Sequence, residues 1–211
     1  MSTPAQTSQD QLKCILTLTG DSITQADLTL KLHKHPNVVY HTNIGPDHPW
    51  RLQQIQDSAN YIQEALAALS ILPVEEENTS YSTVDEVLTD LDHLLERINK
   101  ARSCLAVPRK RTIDGLMNSK NMKSLTPALP GDLAVSFYLQ GHKLIFAVYH
   151  LTQAGGSVKF ETLQSESPVS WLNDCLVLLS LALQKSQQLR DKVAVFLQYP
   201  ELNSTISSYG S

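Results

Sequence analysis

Several histidines stand close together near the start of the chain. They are His33, His35, His41 and His48. The spacing of His33 and His35 would place both imidazoles on one face of a strand, because side chains two residues apart point the same way. Zinc would need further nitrogen, sulfur or oxygen ligands, and no cysteine lies near this stretch. We therefore predict no metal site and no bound cofactor.

The sequence holds no motif typical of catalysis. It lacks a GxSxG nucleophile elbow, an HExxH zinc-protease motif, a P-loop and a GxGxxG dinucleotide fingerprint. Asp21 and Asp27 flank an expected turn, where carboxylates more often cap backbone groups and face solvent than catalyse. We predict that the protein is not an enzyme. Acidic residues and histidines converging in one deep pocket would indicate the opposite.

One basic cluster stands out in a chain whose formal net charge is −4: Arg109-Lys110-Arg111, with Lys120 and Lys123 nearby. A nucleic-acid-binding protein needs a basic face to displace phosphate counterions, so the mild overall acidity argues against that class. We interpret the cluster as a solvated loop. The alternatives are a nuclear-import signal and a contact with anionic lipid head groups.

The composition is that of a globular protein in a reducing compartment. Hydrophobic residues make up 42% and charged residues 18% of the 211 positions, as is ordinary for this class. Cys14, Cys104 and Cys175 are widely separated and form no CxxC pair, so we expect free thiols and a cytoplasmic location. The polar leader has no signal-peptide core. The most apolar run, at 172–183, is too short to span a bilayer.

Two parts of the chain show the two-residue alternation of strands with one buried face. The second of these parts contains two dipeptides typical of turns, Gly141-His142 and Gly155-Gly156. We expect a hairpin around the first and a further turn at the second. The predicted strands cover residues 12–18, 28–32, 38–42, 133–140, 143–151 and 158–163.

Other segments show helical spacing of apolar residues. Proline is tolerated in the first turn of a helix because its missing N–H is not needed there. Pro49 therefore predicts a helix from the next residue onward. Ser167 and Pro168 predict an N-cap and a first helical residue for a long helix over 169–198. Within it, 176–183 is apolar almost all round, as expected of a helix enclosed by neighbours.

A further helix lies between these two. Thr83 and Glu86 form a capping box at its start, and Pro108 stops it. Its apolar residues recur at alternating gaps of three and four, which is a heptad seam. Such a short seam is marginal for a free-standing zipper, so we interpret it as internal bundle packing, with a coiled-coil interface as the alternative. The seam positions of this helix and the last one are Val84, Val87, Leu91, Leu94, Ile98, Leu105, Leu172, Leu176, Leu179 and Leu183.

The order of strands, two helices, strands and one long helix predicts an α+β fold. We expect an antiparallel helical bundle and one small antiparallel β-sheet, both discontinuous in sequence. The predicted division is 12–44 and 131–163 for the β domain, 49–127 and 167–198 for the helical-bundle domain, and 1–11 and 199–211 for flexible tails.

Four stretches resemble the Rogdi family, the atypical leucine-zipper proteins. They are LTLTGDSITQADLTLKL at 16–32, WRLQQIQD at 50–57, PALPGDL at 127–133, and WLNDCLV with QQLRDKVAVF between 171 and 196. Their order and spacing, rather than any single stretch, carry the resemblance. The likeness covers most of the chain from Leu12 onward.

The resemblance implies a helical bundle beside an antiparallel sheet. It also implies a small subunit of complexes that regulate vacuolar proton ATPase assembly, beside large WD-repeat partners. Family members carry an additional amphipathic helix ahead of the first strand, whereas this chain shows only a short polar leader there. Three long helices in place of four would leave an apolar stripe exposed. We expect the chain to rearrange its helices or self-associate, for example as a homodimer, to cover that stripe.

Polar and aromatic residues within the family stretches are the candidates for partner contacts. We favour hydrogen bonds between helices for the glutamines, buried packing for the two tryptophans, and a favourable helix-dipole position for Asp174. A partner surface is the alternative for the polar residues. The candidates are Trp50, Gln53, Gln54, Trp171, Asn173, Asp174, Gln187 and Gln188.

These expectations converge on a non-catalytic scaffold or adaptor subunit that acts through protein–protein contacts. The resemblance places it in a complex that regulates vacuolar proton ATPase assembly. The alternative is a self-associating, leucine-zipper-like regulatory protein at the nucleus or at synaptic vesicles, without obligatory large partners. We expect neither a nucleic-acid partner nor a membrane span.

Overall fold

The computed structural model describes residues 10–35, 37–70, 72, 81–109, 111–154 and 157–198. These residues divide into two compact units, each built from two separate parts of the chain. The sheet unit takes the described residues of Met1–Gln56 and Val107–Ser170, and the helical unit takes those of Asp57–Ala106 and Trp171–Ser211. Helices and antiparallel sheets are both present, so the predicted α+β class is confirmed.

The first sheet of the sheet unit is formed mostly by strands from the start of the chain. Its strands are β1 (Gln11–Thr19), β2 (Ser22–Lys31), β3 (Val39–Ile44), β4 (Trp50–Arg51) and β5 (Leu125–Thr126). They pair antiparallel in the order β1-β2-β3-β5, with β4 also paired to β2. Gly20 turns the chain between β1 and β2 at a φ of 60°, which a residue without a Cβ adopts freely. The predicted alternation is confirmed on β2, where Leu28 and Leu30 are buried while Asp27 is exposed.

The second sheet is a meander of three strands. They are β6 (Leu133–Gln140), β7 (Lys143–Ala154) and β8 (Ser157–Pro168), paired antiparallel in that order. The predicted hairpin is confirmed, since Gln140 pairs with Lys143 across a turn in which Gly141 has a φ of 60°. The expected turn at Gly155-Gly156 lies outside the described residues. The two strand regions form two separate sheets, so the prediction of one sheet was wrong.

The core of the sheet unit surrounds β6. Five consecutive residues, from Leu133 to Phe137, are buried, which means that both faces of the strand are covered because successive side chains point to opposite faces. The Phe137 ring stacks on Phe146 at a centroid distance of 5.0 Å and meets the edge of Trp50 at 5.2 Å. Aromatic contacts of this kind add to the stability that burial provides.

The helices are α1 (Gln53–Ser70), α2 (Tyr81–Ala106), α3 (Ile113–Met117) and α4 (Ser170–Gln198). The prediction that the first helix starts at Trp50 was wrong. Trp50 and Arg51 instead extend the first sheet, where they pair with Ile23 and Ser22. The strand pairing buries the Trp50 ring, and the helix begins only after it.

Two other predicted helix starts were also wrong. Thr83 is inside α2, not at its N-cap. Ser167 and Pro168 belong to β8, where they pair with Leu144 and Lys143. Proline is tolerated on an edge strand because no ladder hydrogen bond is lost on the open side. α2 ends at Ala106, two residues before Pro108, so the predicted end of this helix is confirmed.

The helical unit has a core made by α1, α2 and α4. Ala65, Leu91, Leu94 and Ile98 are buried together, and partly buried side chains of α4 pack against them. The sequence predicts that the segment after α2, up to residue 127, belongs to the helical domain. It lies in the sheet unit instead, since Leu125 and Thr126 pair with β3. Gln11, assigned to a tail, begins β1. The remaining predicted tail residues, apart from Asp10, lie outside the described residues.

Candidate interaction surfaces

The heptad seam of α2 faces the interior of the helical unit. Leu91, Leu94, Ile98 and Leu105 are buried, whereas Val84 and Val87 near the start of the helix are half-buried. Their spacing of three and four keeps them on one stripe of the helix. The seam is thus used in packing within the unit rather than presented to solvent.

The seam residues of α4 are less covered. Leu172 is fully buried, while Leu176, Leu179 and Leu183 are half-buried. Leu179 and Leu183 pack against the buried cluster of α1 and α2. Arg190 strengthens the same contact, because its Nε donates a hydrogen bond of 2.7 Å to the Asp92 carboxylate of α2. That hydrogen bond raises the pKa of Arg190 above its ordinary value.

The opposite side of α4 is exposed, and we call it the outer face. Val177, Leu178 and Leu181 are 58%, 64% and 48% exposed, so the prediction that neighbours enclose this helix was wrong. The outer face also shows gaps of three and four, which is a second heptad pattern. Its exposed positions in that pattern are Leu178, Leu181, Lys185, Gln188, Lys192 and Val195. An exposed apolar stripe was expected from the sequence, but its position on α4 was not.

The candidate residues at the start of α4 are exposed. Trp171 is 41% exposed, so the expectation of buried packing was wrong for this tryptophan. Asn173 and Asp174 are also exposed. Asp174 is the fifth residue of the helix, beyond the first turn in which the helix dipole acts most strongly. Gln187 is exposed and donates a hydrogen bond of 2.8 Å to Asp191 one turn later.

The two candidate glutamines of α1 differ. Gln53 is exposed, whereas Gln54 is buried. The Leu139 N–H donates to Gln54 Oε1 at 2.8 Å, and Gln54 Nε2 donates to the Leu139 carbonyl at 3.0 Å. The amide therefore satisfies the backbone of β6 at an edge of its sheet, as a neighbouring strand would. This is a role in the sheet unit, not the hydrogen bond between helices that we favoured.

The basic cluster lies beside aromatic residues. Arg109 and Arg111 line a cleft of about 220 Å³ together with Tyr138, Tyr149 and Phe160, and Lys110 lies outside the described residues. Burial raises the pKa of Tyr149, the neighbouring Tyr138 raises it further, and Arg111 opposes the shift. Within the described ranges, none of the helices combines the length and the apolar character that crossing a bilayer requires.

Comparison with known proteins identifies the family. The model of the family "Rogdi leucine zipper containing protein" matches residues 1–208. The chain belongs to the Rogdi family. It is 48% identical to "Protein rogdi" of Drosophila melanogaster over 194 residues, which are 92% of this chain and 71% of that protein.

Vertebrate Rogdi proteins are similar over nearly the same span. The identity is 36% to "Protein rogdi homolog" of Danio rerio, with 91% of this chain and 76% of that protein covered. It is 34% to the Homo sapiens protein of that name, with 90% and 74% covered. None of these Rogdi names designates an enzyme. The predicted resemblance is therefore confirmed at the level of the family.

The outer face of α4 is the surface that sequence analysis missed. The relevant pattern was present, since Leu178, Leu181 and Val195 fit a heptad register. It was hidden because the stretch from 176 to 183 is apolar on almost all sides. Only the position of α1 and α2 decides which side of such a helix is covered.

Proposed function

We propose that this Rogdi-family chain is a non-catalytic scaffold or adaptor subunit that binds partner proteins through the outer face of α4. The observation that supports this most is the exposure of Val177, Leu178 and Leu181 on a helix whose other side packs into a core. Contact between water and a contiguous apolar surface is unfavourable, and a binding partner removes that contact. Such exposed patches therefore mark interaction sites in soluble proteins.

The outer face favours a partner helix with apolar and acidic residues. Lys185 and Lys192 are exposed at heptad positions between the apolar ends of the face, with Gln188 between them. A second copy docked parallel and in register along the same seam would bring lysines opposite lysines, and like charges in such positions oppose association. Acidic side chains on a different protein would pair with these lysines.

The family supports a more specific assignment. We propose a place in a complex that regulates vacuolar proton ATPase assembly, with WD-repeat proteins as partners and a cytoplasmic location. The absence of a catalytic motif from the sequence and the lack of an enzyme designation among the relatives' names support a non-catalytic role. Vesicles and the nucleus are the alternative locations.

A charge placed on the outer face tests this function. In Leu178→Glu, the new carboxylate would have to be buried in the interface, and we expect affinity for the partner to fall about 30-fold, as for a hot-spot residue. The measurement is recovery of WD-repeat proteins and pump subunits with the tagged full chain from cells, quantified by mass spectrometry. The matched control is Ser180→Glu, which adds the same charge at an exposed polar position two residues away.

The outcomes separate the two candidate roles. Recovery of WD-repeat proteins that Leu178→Glu abolishes and Ser180→Glu retains would support the scaffold. If the parent recovers neither class of protein, the proposed complex is wrong. A light-scattering mass of twice the chain, reduced to one chain by Leu178→Glu, would establish the self-associating alternative.

A further inference from the structure

A cluster of histidine and aspartate side chains lies in the sheet unit. The Nε2 atoms of His35 and His150 are 3.3 Å apart. The Asp132 Oδ2 atom lies 3.6 Å from His35 Nε2 and 3.5 Å from His150 Nε2. Three atoms that can each bind a metal ion thus form a nearly equilateral triangle.

Different elements bring these three residues together. His150 is near the end of β7, directly opposite Leu133, so Asp132 precedes its partner position on β6. The Asp132 carbonyl accepts a hydrogen bond of 2.8 Å from the Leu151 N–H. His35 comes from the loop between β2 and β3, where its N–H donates to the Leu32 carbonyl and its carbonyl accepts from the Val38 N–H. The backbone of each ligand is therefore anchored.

The two histidine nitrogens are within hydrogen-bond distance of each other, but both contacts of Asp132 are long for hydrogen bonds, and the triangle has the size of a zinc site. Hydrogen bonds between nitrogen and oxygen span about 2.7–3.2 Å, which both contacts of Asp132 exceed. In a tetrahedral zinc site with ligands at about 2.0–2.2 Å, neighbouring ligand atoms are about 3.3–3.6 Å apart. Each imidazole nitrogen also has a single lone pair or N–H, so it cannot bond linearly to both other atoms.

The surroundings suit metal ligands as well. The His35 Nδ1 atom lies 3.3 Å from the Tyr40 hydroxyl. A histidine that binds a metal normally donates its second N–H to an oxygen acceptor, and the hydroxyl oxygen can accept it. The two imidazole planes are nearly perpendicular, at 87°. The His150 side chain is 10% exposed and that of Asp132 40% exposed, which leaves a path for an ion from solvent.

We propose that His35 Nε2, His150 Nε2 and Asp132 Oδ2 bind a zinc ion, with water as the fourth ligand. The ion joins the β2–β3 loop of the first sheet to β6 and β7 of the second. Two neutral imidazoles and one carboxylate leave a net charge of +1 on the site. The sequence suggests His33 as the neighbour of His35, whereas Asp132 and His150 are distant from His35 along the chain and could not be found from spacing.

Zinc titration of the untagged, metal-free full chain tests this site. We expect saturable binding of one ion per chain and a melting temperature that rises with zinc, because a ligand of the native state stabilises it. His35→Gln and Asp132→Asn should each weaken binding by more than about 100-fold, since removing a ligand costs more than removing an outer partner. Tyr40→Phe should weaken it by about 10-fold.

His33→Gln is the matched control. His33 stands in the same loop, but its ring contacts Asp10 at 3.0 Å, so its replacement should leave zinc affinity unchanged. Cobalt gives a readout without mutation, because four-coordinate Co²⁺ absorbs visible light far more strongly than the hydrated ion. No saturable binding, equal loss in His33→Gln, or unchanged affinity in His35→Gln would each overturn the proposal.

Discussion

Strand β6 and helix α4 are both rich in apolar residues, but they are covered to different extents. From Leu133 to Phe137 every residue of β6 is buried, including Ser136. In α4, over the described side chains from 170 to 195, Leu172 is the one residue that is fully buried. The apolar composition of a segment therefore sets how much free energy its burial could contribute. The neighbouring segments decide how much of its surface is actually buried. On the uncovered part of α4, apolar side chains remain exposed to solvent and could still be buried by another protein.

Replacing valine by aspartate should unfold one region and leave the other unchanged. Val135→Asp on β6 places a carboxylate at a position that is 1% exposed, and a buried unpaired charge costs several kcal/mol. We expect it to unfold the sheet unit, measured as loss of near-ultraviolet circular dichroism. Val177→Asp, at a position that is 58% exposed, should melt like the parent chain. Equal damage from both would show that the outer face of α4 is covered.

Within α4, two leucines sharpen the comparison. Leu172 is fully buried and Leu178 is mostly exposed. Leu172→Ala should lower the free energy of unfolding by about 2–5 kcal/mol, because it removes apolar contacts and leaves a cavity. Leu178→Ala should change it by less than about 0.5 kcal/mol. Urea denaturation gives both values, and comparable losses would contradict the assignment of the inner and outer sides.

The smallest effect on the fold is expected at Cys14 in the first sheet, where only the rate of thiol alkylation is measured. Burial raises the pKa of Cys14 to about 11, with the charge of Asp27 contributing. Because only the thiolate is alkylated, a raised pKa means less reaction at pH 8 and a rate that climbs as the pH approaches 11. At pH 8 we expect Cys14 to react with iodoacetamide roughly 100-fold more slowly in the native chain than in urea. Mass spectrometry of the labelled peptide measures this, and equal rates would place Cys14 in solvent.

Much of the fold could be predicted because its determinants are local. The alternation along β1 and β2, the turn at Gly141, and the end of α2 before Pro108 depend on residues close in sequence. The turn expected between Asp21 and Asp27 was wrong, because the chain turns at Gly20 and Asp27 lies inside β2. The starts of α1 and α4 could not be predicted in this way. The residues ahead of them were recruited by strand pairing, at Trp50 with Ile23 and at Pro168 with Lys143, which outweighs a local preference for helix.

The sequence by itself determined the α+β class and the family. The tertiary structure alone decided which side of α4 stays exposed and that His35 meets Asp132 and His150. The physical reason is the range of the interactions. Backbone preferences act over a few residues, whereas burial and ligand geometry depend on segments that are distant in sequence and come together only on folding.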